Sequence, residues 1–128
     1  MDQSIEYVKM CNCPEIQGRW ELKEGDWVCW PISIIEAFNY SDFDAWTVEG
    51  IKEEGGFWIA LQCQLQEMLK PPIQWQMAHR ENDYVASVMP EKKNITIYCY
   101  ASTAEQALLQ LVMSELHGKK WNGEEWVK

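Results

Sequence analysis

Two β-rich runs, Tyr84 to Met89 and Ile95 to Tyr100, lead directly into a segment with the start and stop signals of a helix, and this succession constrains the fold most. Each run alternates apolar and polar side chains, the pattern of a strand with one face buried. Pro90-Glu91-Lys92-Lys93-Asn94 between them predicts an antiparallel hairpin with a five-residue loop. Beyond it, Ser102 and Glu105 have the spacing of a capping box, in which each side chain takes up an otherwise orphan backbone donor. Leu108, Leu111, Val112 and Leu116 then mark one apolar stripe, flanked by Leu109 and Met113. Gly118 suits the left-handed position after the last turn, and His117, Lys119 and Lys120 suit the negative end of the helix dipole. A hairpin followed by an amphipathic helix predicts an α+β fold: a small, mostly antiparallel sheet around residues 84–100, with about three helices packed on it.

The other two helices come from earlier in the chain. Ser4 is a plausible N-cap for a helix whose inner stripe takes Ile5, Val8 and either Cys11 or Ile16. Pro14 predicts a break near Cys13 and opens a second short turn, which Gly18 stops. Leu61, Leu65, Met68 and Leu69 line one face of a helix that must finish before Pro71-Pro72. Between these lie a turn at Gly25-Asp26, a strand over Trp27 to Trp30 ended by Pro31, and a short strand over Phe57 to Ala60. Ile32 to Tyr40 fits a strand or a short helix equally badly, and Ser41 to Gly56 reads as an acidic loop. Trp121 to Trp126 reads as a small turn.

At 128 residues the chain has the size of a single globular domain spanning 1–128. A chain of this mass buries roughly 68% of its unfolded surface, enough for one core without metal or disulfide staples. The five cysteines are an odd number, and no signal sequence or membrane-length apolar run is visible. Reduced thiols in a cytoplasmic setting are therefore expected, with the cysteines packed as small apolar groups. Twenty acids against eleven bases leave a net charge of −9. That balance argues against direct nucleic-acid binding, which needs clustered Lys and Arg. It serves solubility, and it would also suit a basic protein surface or a mimic of nucleic acid.

Three stretches carry a resemblance: Glu15-Ile16-Gln17 with Trp20 and Gly25-Asp26-Trp27; Gln64-Leu65-Gln66-Glu67-Met68; and Trp121-Asn122-Gly123-Glu124-Glu125-Trp126-Val127. Together, in this order, they resemble a family of small uncharacterised proteins encoded by bacteriophages and prophages. The likeness covers about half the chain; Cys11-Asn12-Cys13-Pro14 interrupts what is one continuous helix in that group. It implies a setting in a bacterial host cell and no particular reaction.

The candidate chemistry is sparse. Cys11, Cys13 and Cys29, completed by Cys63, Cys99 or His79, could offer zinc ligands, but C-x-C is tighter than the usual knuckle and the remainder lie on unrelated elements. Neither a metal nor a cofactor is assigned. His79-Arg80-Glu81-Asn82-Asp83 could support acid–base work, yet a polar loop leading into a strand has the same composition. No phosphate loop or nucleophile motif is visible.

Eight tryptophans are several times the usual content. Indoles dominate protein interfaces because each buries much apolar area with little rotamer entropy. Trp27, Trp30 and Trp58 on short strands are the candidate binding residues, at least one of them expected to be substantially exposed beside acids. The expected function is that of a non-enzymatic phage or prophage accessory protein that binds another protein. The alternative is a small enzyme or ligand-binding domain around His79, with nucleic-acid mimicry or a structural virion role behind it. Partner identity and oligomeric state stay open.

Overall fold

Ser4 starts the first helix as the spacing predicts, its hydroxyl accepting from Tyr7 N–H at 3.2 Å. This computed structural model describes residues 2–31, 34–37, 47–69, 73–89 and 96–128. They form an α+β protein with five helices and three small antiparallel sheets. The chain divides into two compact units, Gln3–Leu61 and Gln62–Lys128, the second joined by Asp2. No helix among the described residues is long and apolar enough to cross a membrane.

In the unit Gln3–Leu61, helix α1 (Ile5–Cys11) buries Tyr7, Met10 and Cys11, whereas Ile5, expected on the inner stripe, is 78% exposed. The phase of the helix is set by Tyr7, whose hydroxyl donates to Ala60 C=O at 2.6 Å. Residue 5 lies two positions earlier, about 200° around the helix, and so points away. The expected break follows, with Cys13 as N-cap and Pro14 opening α2 (Pro14–Gln17). Gly18 ends it where a Cβ would stand 2.9 Å from the Pro14 carbonyl oxygen.

After a turn with Gly25 at φ 86°, β1 (Trp27–Trp30) forms over the predicted residues. It pairs antiparallel with β2 (Ile34–Ala37) and with β3 (Phe57–Ile59), giving the order β2-β1-β3. The ambiguous stretch after Pro31 is thus a strand at 34–37. The acidic loop expected over Ser41 to Gly56 needs correction. Val48–Glu53 is helix α3, capped by Thr47, whose hydroxyl accepts from Gly50 N–H at 3.0 Å, and it buries Ile51 completely. Residues 41–46 of that stretch lie outside the described residues.

In the unit Gln62–Lys128, α4 (Gln62–Met68) ends before Pro71 as expected, and Leu65 and Leu69 are buried. The predicted hairpin is present as β5 (Tyr84–Val88) and β6 (Ile97–Ala101), paired from Tyr84↔Ala101 to Val88↔Ile97. Its predicted loop, 90–94, lies outside the described residues. A strand not anticipated from the sequence, β4 (Trp75–His79), completes the sheet β4-β5-β6.

Helix α5 (Ala104–His117) packs on β5 and β6, with α4 against it. Its Leu108, Leu109, Leu111, Val112 and Met113 are fully buried. Gly118 takes the left-handed position, φ 63°. The cap is Thr103, not Ser102: the Thr103 hydroxyl accepts from Gln106 N–H at 3.2 Å. The Asp2 carboxylate fixes this shift by accepting from Thr103 Oγ1 at 2.6 Å and from Gln106 Nε2 at 3.0 Å. The expected closing turn joins β7 (Lys120–Trp121) to β8 (Trp126–Val127), with Asn122 Oδ1 accepting from the amides of Glu124 and Glu125.

Candidate functional site

The tryptophan-rich motif of the first unit turns inward. Gln17 ends α2 with its side chain buried, and its amide makes three bonds: Nε2 donates to Cys11 C=O at 2.9 Å and Trp58 C=O at 2.8 Å, and Oε1 accepts from Trp58 N–H at 2.9 Å. A side-chain amide here pairs with a strand residue as a neighbouring peptide would. Trp20 lies near-parallel to Trp58, ring centroids 6.4 Å apart, and its indole N–H donates to Asp26 Oδ2 at 3.1 Å. The same oxygen accepts from Lys23 N–H at 2.8 Å and closes the turn before β1. The residues Gln17, Trp20 and Asp26 of the quoted motif therefore build one structural knot.

This corrects the expected exposure of the candidate tryptophans. Trp58 is only 4% exposed, because stacking on Trp20 and the Gln17 clamp hold it in the core. Trp27 and Trp30 are half-buried on β1, the central strand of its sheet. No tryptophan among the described residues is exposed; Trp46 lies outside them.

Four cysteines pack as expected: Cys11, Cys13, Cys29 and Cys99 are free and buried, whereas Cys63 on α4 is exposed. Burial pushes the Cys13 and Cys99 thiols up to about 11, so neither offers a thiolate near neutral pH. Among the described residues, no three His, Cys, Asp or Glu side chains converge as metal ligands.

The polar run His79–Asp83 is the turn between β4 and β5. His79 stacks on Tyr84 with ring centroids 4.4 Å apart. Arg80 closes the turn through its backbone N–H to Asp83 C=O at 2.8 Å. Its guanidinium donates to both Asp83 oxygens, at 2.6 and 2.7 Å, which holds that carboxyl below its usual range. Both oxygens of Asp83 are thus occupied by Arg80.

An aromatic surface lies on the sheet β4-β5-β6. Pairing aligns Gln76, Ser87 and Tyr98 in one row and Ala78, Val85 and Tyr100 in the next. Side chains alternate between the two faces of a strand. Ala86, Val88 and Cys99 are buried beneath α5, so these two rows share the opposite, open face. There Tyr98 and Tyr100 are 56% and 49% exposed and stack with centroids 6.2 Å apart. Arg80 covers one end of the face, its guanidinium carbon 4.8 Å from the Tyr100 ring centre. At the other end Met89 is 62% exposed, beside a depression of about 340 Å³. The Arg80–Asp83 pair cancels its own charge, and the two rows carry none. Such a face can bury aromatic and thioether surface while amides and hydroxyls fix the register of a partner.

Tyr98 and Tyr100 are not among the residues expected from the sequence to form a site. Their signal was the alternation Ile97-Tyr98-Cys99-Tyr100, which sets two tyrosines opposite two apolar residues on the hairpin already identified. Compared with known proteins, the chain matches no protein-family model, no curated protein and no solved structure.

Proposed function

We propose that this is a non-enzymatic accessory protein of a phage or prophage, acting in the bacterial host cytoplasm by binding another protein through the open face of β4-β5-β6. The setting rests on the sequence resemblance; the binding surface rests on the side-by-side exposed rings of Tyr98 and Tyr100. Contiguous exposed aromatic surface marks interaction sites, whereas single exposed apolar residues are ordinary. Tyrosine suits such a surface, since it brings large contact area at small entropic cost. Single-stranded nucleic acid would also stack on tyrosines, but it needs a cationic track. Arg80, the described cation at this face, is already held by Asp83.

The test is a photo-reactive residue at position 98 in host-cell extract, followed by affinity measurement with the purified, identified partner. Tyr98→Ala with Tyr100→Ala should weaken that complex by about 2 kcal/mol or more, roughly 30-fold. A partner bound equally well by the double variant would overturn the assignment.

A further inference from the structure

The Asp2 carboxylate holds two side chains at the start of α5, while its own neighbour in the chain belongs to the other unit. Asp2 Oδ2 accepts from Thr103 Oγ1 at 2.6 Å and from Gln106 Nε2 at 3.0 Å, and Asp2 and Gln106 are both buried. Thr103 Oγ1 also accepts from Gln106 N–H, so the three residues close one hydrogen-bonded ring. Asp2 thereby belongs to the unit Gln62–Lys128, whereas Gln3 begins the unit Gln3–Leu61. At the far end of that unit the chain passes from Leu61 directly into α4 at Gln62. Residues 3–61 thus leave and rejoin the same unit, the later end at the start of α4 and the earlier end at the bonds of Asp2.

We infer that Asp2 is a clasp that closes residues 3–61 into a loop and restrains their opening. While α1 is folded, Gln3 alone separates the carboxylate from Ser4, the cap of that helix. The carboxylate then stands at its donors at high effective concentration. With residues 3–61 unfolded, it would search from the end of the whole segment, and its return becomes rarer as the loop lengthens. The clasp and the folded segment therefore favour each other by one shared factor. The bonds suit this work, because hydrogen bonds to a carboxylate are roughly twice as strong as neutral ones. The first turn of α5 adds the positive end of a helix dipole.

The experiment is native-state hydrogen exchange on the full chain, comparing Asp2→Ala, Asp2→Asn and Gly118→Ala with the parent. Gly118→Ala is the reference lesion: it strains the other end of α5, where the backbone stands at φ 63°, and leaves Asp2 in place. The probes are the amides of Ile51 and Trp58, which donate to Thr47 C=O and Gln17 Oε1 and lie far along the chain from residue 2. Asp2→Ala should speed their exchange about 10-fold, the order of one charged hydrogen bond. Asp2→Asn keeps an acceptor without the charge and should speed it about 3-fold, and Gly118→Ala less than about 2-fold. All three variants should speed exchange within α5.

A rise after Asp2→Ala that stays within residues 62–128 would make the carboxylate a helix cap alone and overturn the clasp. Unchanged exchange at both probes would overturn it too, as would the same ratio of effects on the two segments in Asp2→Ala and Gly118→Ala. If Asp2→Ala fails to fold, Asp2→Asn decides by the same comparison.

Discussion

Residues 3–61 hold eleven acids and four bases, a net of −7, while residues 62–128 hold eight and seven, a net of −1. The aromatic residues divide against expectation. The acidic unit has five of the eight tryptophans, yet those described are buried or half-buried. The near-neutral unit shows two tyrosines to solvent on an open sheet. The contrast teaches that an abundance of indole rings does not locate a surface. Trp20 and Trp58 have each other, and Asp26 takes the one donor of Trp20, so the acidic unit spends these rings on itself. Tyr98 and Tyr100 stand on a face of the three paired strands that no described layer covers.

The sharpest way to break this comparison is Gln17→Ala. It removes three hydrogen bonds to backbone groups, Trp58 N–H among them, and should cost about 3 kcal/mol in urea unfolding. Hydrogen exchange should show the loss of protection concentrated in residues 3–61; an even loss over both units would contradict their division. A smaller effect separates two adjacent caps. Thr103→Ala should cost about 1 kcal/mol, and Ser102→Ala only a few tenths, because the Thr103 hydroxyl serves Gln106. Equal effects would remove the assignment of the cap.

Smaller still, Tyr98→Ala with Tyr100→Ala should change stability by less than about 1 kcal/mol, since each ring is about half exposed. Serious unfolding would mean that these rings hold the sheet together and do not serve as a contact surface. The least effect belongs to Asp83. Arg80 lowers its folded pKa below the ordinary 3.8, so its contribution is present above that pH and lost as pH falls through the lower, folded value. Asp83→Asn should therefore lose slightly near neutral pH and nothing in strong acid, a difference readable in paired melting curves. A loss of equal size in acid would place the role of Asp83 outside its charge.

Local chemistry was legible where nothing distant intervened. Pro14 as a first helical residue, the Trp27–Trp30 strand, the Tyr84–Tyr100 hairpin and Gly118 all follow from backbone preference and alternation. The misses have distant or masking causes. Ile5 points out because Tyr7 is anchored 53 positions away at Ala60. Thr103 replaces Ser102 because Asp2, 101 positions away, engages it. Strand β4 was hidden by the polar run that follows Trp75–Ala78, and α3 by the acids around Thr47 and Ile51. For the surface, alternation shows which side of a strand a tyrosine takes, but not whether another layer covers that side. Only the assembled sheet supplies the second fact.

Gln17 has one more consequence. Strand β3 is an outer strand of its sheet among the described residues, and its segment Phe57-Trp58-Ile59 is wholly apolar. Such a margin, with unspent donors and acceptors, is a template on which a second chain can add and begin a fibre. The Gln17 amide occupies both outward groups of Trp58, so a foreign strand finds neither donor nor acceptor at the centre of that segment. Gln17→Ala should therefore scatter more light than the parent chain at equal concentration in native buffer; equal scattering would remove this second role of the amide.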